Sequence, residues 1–119
     1  MGVGMAESYR RELRMLLEDV AVDADIDCKH FFSGAAAYVD GRIFMTLTDA
    51  GLALKLPKLS RAKLIGMGGE PLRYFPNAPI KQDYVVVPPD IADNRKALAK
   101  WIIESIRYAR TLPKPRRAK

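Results

Sequence analysis

One cysteine and one histidine are all that this 119-residue sequence has of the two side chains that most often hold a metal or pair as nucleophile and base. A single cysteine, Cys28, excludes an intramolecular disulfide. The opening Met1-Gly-Val-Gly-Met5 has neither a basic region nor a long apolar one, so no secretory signal is visible. Met5 is the expected natural start, and a reducing cytoplasm is the expected location. Cys28 and His30 stand at i, i+2 and share a face if the chain is extended there, but two ligands do not complete a zinc site. Nothing nearby is marked to orient the imidazole as a base for the thiolate.

Other absences narrow the function further. No apolar run approaches the ~20 residues that span a bilayer, so no membrane role is expected. No G-x-S-x-G is present, and Ser33, Ser60 and Ser105 read as a turn residue, a helix cap and a small residue in a helix stripe. Gly66-Met-Gly-Gly69 follows a helix rather than a strand and has no Lys-Ser/Thr after it, which makes it a helix end and not a phosphate loop. Asp23-x-Asp25-x-Asp27 imitates the start of a calcium loop, but Cys28 stands where the loop needs glycine and Gly34 where it needs glutamate. No pair of carboxylates is spaced for acid–base work. The expectation is a non-enzyme with no cofactor and no metal.

What is present is an ordinary globular composition, 49% hydrophobic and 29% charged, in a length suited to one domain. Charge is unevenly placed. Residues 1–50 carry nine acids and five bases, and residues 51–119 carry five acids and fifteen bases. Lys55, Lys58, Arg61 and Lys63 form one basic group, and Arg107 and Arg110 lead into another that includes Arg116 and Arg117. These are the candidate contacts to an anion such as nucleic acid, although no aromatic residues interleave them for base stacking. Such a block of charge also serves as a solvated face with a solubilising tail.

The best-specified segment runs from residue 38 to 56. Asp40-Gly41 predicts a type I′ hairpin turn. Residues 42–48 alternate, with Ile43, Met45 and Leu47 to one side and Phe44, Thr46 and Thr48 to the other. Asp49-Ala50-Gly51 makes a second turn, and Leu52, Leu54 and Leu56 alternate again. Ahead of this meander, Tyr9, Leu13, Leu16, Leu17 and Val20 lay an apolar stripe on a helix predicted over residues 7–20. Residues 28–32 are ambiguous, and residues 35–39 read as a strand. Ser60 is the expected cap of a helix over residues 61–67, with Leu59 and Leu64 as a hydrophobic staple. Residues 71–75 and 83–87 read as strands, the latter closed by Pro88. Asp90 or Asp93 is the expected cap of a last helix to residue 110, whose stripe holds Leu98, Trp101, Ile102, Ser105, Ile106 and Ala109. The pattern predicts an α+β, two-layer domain of order α-β-β-β-α-β-β-α over residues 5–113. Its antiparallel sheet has five strands and helices on one face. Residues 114–119 are expected to be a disordered basic tail.

With the elements in that order, residues 8–113 resemble the N-terminal domain of the TfoX/Sxy family, named for bacterial regulators of competence genes. The family shows a basic residue, then Met-Phe-Gly-Gly, a small-residue strand and Asp/Asn-Gly. Its counterparts here are Lys29, His30-Phe31-Phe32-Ser33-Gly34, Ala35-Ala36-Ala37-Tyr38-Val39 and Asp40-Gly41. Ile43-Phe44, Leu52-Ala-Leu-Lys55, Tyr84-Val85-Val86-Val87-Pro88 and Leu98-Ala-Lys-Trp101 match later landmarks. Phe32, Gly34, Gly41, Pro88 and Trp101 are the structural positions this assigns. The Met-Phe-Gly-Gly motif has become Phe-Phe-Ser-Gly. The resemblance implies a two-layer antiparallel fold similar to secretion chaperones, and no known catalytic residues. Longer competence regulators add a C-terminal helical domain, whereas a stand-alone domain is expected here. The implied function is a non-catalytic binding or regulatory module acting through a partner protein. A nucleic-acid accessory role through the basic half is the alternative, and a homodimer is the expected assembly.

Overall fold

The computed structural model describes residues 4–18, 20, 24–32 and 34–113. Helix α1 (Gly4–Leu17) leads into strands β1 (Ile26–Phe31), β2 (Gly34–Val39), β3 (Arg42–Thr48) and β4 (Gly51–Lys55). Helix α2 (Lys58–Gly66), β5 (Glu70–Leu72), β6 (Lys81–Val86), the short α3 (Pro89–Ala92) and α4 (Arg95–Thr111) follow. All strand pairs are antiparallel, in the order β1-β2-β3-β4-β6-β5. The α+β reading holds, but the sheet has six strands rather than five. The additional strand is β1. Asp27, Lys29 and His30 obscure its period, because an outer strand wets much of its surface.

Turn chemistry places the meander as the residues dictate. Asp40 and Gly41 both take positive φ (50° and 82°), as a type I′ turn requires. Gly51 stands at φ 111°, and the Ala50 amide donates to Thr48 Oγ1 at 3.0 Å. Gly34 is needed for space instead. A Cβ there would run into the Leu47 carbonyl oxygen and lie 2.9 Å from Thr48 Cα.

The alternation predicted for residues 42–48 is broken by a bulge. Ala37 pairs with Met45 and Tyr38 with Ile43, which leaves Phe44 as the extra residue. A bulge turns two successive side chains to one side. Phe44 and Met45 are therefore both fully buried in the main core, with Ile43 turned to the other face. That core face holds Ala35, Ala37, Val39, Leu47, Leu54 and Val85, covered by Leu13 of α1, Leu64 of α2 and Leu98, Ile102 and Ile106 of α4. Each fully buried large side chain contributes about 1.5–3 kcal/mol.

Three expected helix boundaries are corrected. The first helix begins and ends about three residues earlier than predicted, at Gly4 and Leu17. Ser60 does not cap α2, which starts after Pro57, whose fixed φ (−67°) suits the entry. Ser60 Oγ instead donates to Glu104 Oε2 at 3.0 Å, tying α2 to α4, and Leu59 is exposed rather than stapled. Neither Asp90 nor Asp93 caps the last helix, because Asp93 has helical backbone angles. Asn94 is extended, as a cap must be, and accepts from the Ala97 amide at 3.1 Å. The predicted strand over residues 71–75 is shorter and earlier, at Glu70–Leu72. The end of α2 follows the sequence closely. Gly68 takes φ 108°, its amide donates to Ile65 O, and the Gly69 amide donates to Leu64 O, a Schellman closure.

Candidate functional site

The two basic groups behave differently once folded. Arg61 donates to the Leu56 carbonyl at 2.6 Å and pairs with Asp83 at 3.6 Å, so it fastens α2 to β6. Arg110 reaches Asp40 in the β2–β3 turn at 3.3 Å. Nearby, Arg42 Nε donates to the Leu112 carbonyl at the end of α4, where unpaired carbonyls concentrate. The Lys55 ammonium lies 5.8 Å from the Tyr84 ring centroid, on the sheet face opposite the helices. Lys58 and Lys63 on α2, and Arg107 on α4, are exposed and make no ion pair among the described residues. The structure thus divides the predicted contacts into cations with internal partners and a remainder of three. Arg116 and Arg117 lie outside the described residues.

Helix α2 carries more than charge outward. Leu64 is its buried residue, and Leu59, on the opposite side, is 85% exposed. Ile65 and Met67, in and just after its last turn, are also exposed. Lys58 and Lys63 are exposed on the same helix, with Lys63 in the i, i+4 row between Leu59 and Met67.

The outer sheet face is the feature that the sequence reading missed. Register places Lys29, Phe31, Ala36, Tyr38, Thr46, Ala53, Lys55 and Tyr84 there. The segment over residues 73–80 crosses it and brings Tyr74 onto it. Ala36, Ala53, Leu72 and Ala78 are buried outside the main core, forming a thin second one. Phe31, Phe32 and Tyr74 pack in T-shaped and tilted pairs, with centroids 4.6–5.6 Å apart. Lys29 stands over Tyr38 at 5.3 Å and Lys81 over Tyr74 at 6.0 Å. Burial pushes the phenols of Tyr38, Tyr74 and Tyr84 up, Tyr84 most of all, with Tyr74 and Asp83 adding to its shift. Thr46 Oγ1 is buried beneath them with no hydrogen bond of normal geometry, although it lies close enough to the Tyr74 hydroxyl to temper that phenol's shift. A signal existed in the sequence: apart from Ala36 and Ala53, these outward positions on the strands are aromatic, lysine or threonine.

Near the β1–β2 and β3–β4 turns, Phe32, Thr48, Asp49, Tyr74 and Phe75 line a cavity of about 250 Å3. Phe32 is held at φ 53° and is 78% exposed, and Phe75 is 65% exposed. The Tyr9 hydroxyl donates to Asp49 Oδ1 at 2.6 Å, a bond to a carboxylate that raises the Tyr9 pKa.

On the helix side, Cys28 and His30 both lie on β1, and burial raises the Cys28 thiol while Arg14 and Arg10 oppose the shift. Among the described residues no three metal-ligating side chains converge, and no helix is long and apolar enough to cross a membrane. Asp23 and Ser33 lie outside the described residues.

The family model described as the TfoX N-terminal domain matches residues 17–109, most of the chain. It is not a known enzyme family. No curated protein and no solved structure matches. The expected likeness to secretion chaperones is not confirmed by these comparisons.

Proposed function

The chain belongs to the TfoX N-terminal domain family, whose membership suggests a regulatory or accessory role, and from that premise we propose a non-catalytic module that works by contact with a partner protein. The observation that carries this reading is the outward face of α2. Leu59 at 85% exposure, with Ile65 and Met67, is more apolar surface than a short solvated helix needs. Lys58 and Lys63 beside it suit a partner whose apolar patch is edged by acids. The test is affinity capture from the source cell with the intact chain and with Leu59→Glu. Loss of the same captured protein in the variant, at unchanged circular dichroism, supports the proposal. Capture that ignores the substitution overturns this surface. The same proposal places the protein in the cytoplasm and pairs it as a homodimer, which sedimentation at several concentrations tests.

The second reading, nucleic-acid contact, rests on Lys58, Lys63 and Arg107, predicted contacts that are exposed and make no ion pair among the described residues. Three phosphate contacts give a slope of log affinity against log salt of roughly −3. Duplex DNA binding with such a slope, abolished by Lys58→Glu with Lys63→Glu, favours it. No retention at low salt rejects it.

A further inference from the structure

The cavity formed by Phe32, Tyr74, Phe75, Thr48 and Asp49 combines two features that point to one chemical class. Its walls are aromatic, and ring faces carry negative potential. Its polar group is a carboxylate. Asp49 Oδ1 is held by the Tyr9 hydroxyl, while Oδ2 has no partner among the described residues. A neutral apolar ligand would cover the rings but gain nothing from the exposed carboxylate of Asp49. An anion would be repelled by both. An organic cation satisfies the rings and the carboxylate together. On the same sheet face Lys29 stands over Tyr38 and Lys55 over Tyr84, and Lys81 stands over Tyr74, itself a wall of the cavity. Phe32 and Phe75 have no such internal cation among the described residues.

Size and surroundings define the ligand further. At about 250 Å3 the cavity is below the ~300–1,000 Å3 of sites for whole drug-sized molecules, so it suits a head group. An adjoining space of about 390 Å3 shares Asp49, Tyr74 and Phe75, has Arg73 at its rim, and leaves room for a short tail. Lys29, Lys55 and Lys81 on the same face disfavour a long basic peptide. Phe32 is held in the left-handed region that L side chains rarely adopt, a type of local strain that clusters at ligand clamps.

We propose that this aromatic cavity binds the substituted-ammonium end of a small free organic cation, with a methylated or quaternary ammonium as the best fit. The experiment is a titration of the full chain, followed by NMR, with choline and with its neutral isostere 3,3-dimethylbutanol. Choline is expected to give saturable shifts at Phe32, Tyr74 and Phe75, with a dissociation constant on the order of 1 mM. The neutral isostere is expected to bind about five-fold or more weakly. Asp49→Asn and Phe75→Ala should each weaken choline by a similar factor. Phe32→Gly, which accepts the positive φ without strain, should do the same in a protein that remains folded. Equal binding of the isostere would mean a merely apolar hollow and would overturn the proposal. So would the absence of saturable choline shifts, or affinity unchanged in Phe32→Gly and Asp49→Asn. Vesicles bearing choline head groups provide the final arm. Retention on the vesicles without binding of free choline would also overturn the assignment to a free small molecule.

Discussion

The Ser105 hydroxyl of α4 lies 2.8 Å from the Phe44 carbonyl and 2.7 Å from the Lys55 carbonyl, so one buried side chain joins the last helix to two strands. Phe44 is the bulged residue, without a partner in β2. The helix thus supplies a donor at the point where the bulge interrupts the ladder. Ser105→Ala should destabilise the protein by about 1–3 kcal/mol, because the carbonyls lose a buried donor. Urea unfolding measures it. A change close to zero would show that water replaces the hydroxyl.

Two glycines should differ in the direction opposite to their dihedral angles. Gly41 has positive φ, but a Cβ would meet nothing within 4 Å. Gly41→Ala should cost about 1–2 kcal/mol of backbone strain. Gly34 lies against backbone that cannot move independently, so Gly34→Ala should cost about 3 kcal/mol or more. Thermal unfolding of both variants gives the ranking, and the reverse order contradicts the contact at Gly34.

Trp101 and Ile102 are neighbours on α4 with unequal burial. The apolar stripe makes Trp101 a core residue, yet it is only partly buried and packs against the core from outside, whereas Ile102 is fully buried. Ile102→Ala should cost about 2–5 kcal/mol. Trp101→Ala should cost less, despite its larger side chain. Chemical denaturation compares them, and Trp101 emission should report partial contact with water.

The tyrosines of the outer face make stability depend on alkaline pH. Their folded pKa values are raised above the ordinary 10.0, so the folded state holds these protons more tightly than the unfolded one. Their contribution is complete below pH 10 and is lost as pH rises through the folded values. Tyrosinate absorbance should therefore show Tyr84 ionising last, together with loss of structure. Tyr84→Phe, which cannot ionise, should move the alkaline unfolding midpoint upward. Early ionisation of Tyr84 in an intact fold would contradict its burial.

The hairpins, the helix-side core and the α2 end were legible in the sequence because each depends on neighbours in the chain. Asp40-Gly41 needs only its own backbone, and Gly68-Gly69 closes on carbonyls within the same helix turn. The bulge at Phe44 was not legible, since both registers of residues 42–48 place apolar residues inward and only the partner strand decides between them. Asn94 lost to two aspartates as the expected cap because Pro88 and Pro89 start an extra turn of helix that shifts the true start. The aromatic cavity draws Phe32, Asp49 and Phe75 from three separate turns, and no spacing rule connects them. Family membership was legible from landmark order, although the one motif with a fixed spelling had changed.

The sheet has two dissimilar borders. Strand β5 is three residues long and has Pro71 at its centre, which supplies no amide hydrogen. Strand β1 is twice that length and has no proline, although the Arg10 guanidinium already donates to the Cys28 carbonyl at 3.2 Å. A strand joining from outside finds a longer, proline-free border at β1, where it would displace or share that arginine. Two copies meeting there would each use up their more receptive border. Edge pairing at β1 would thus favour a closed pair over a continuing fibre.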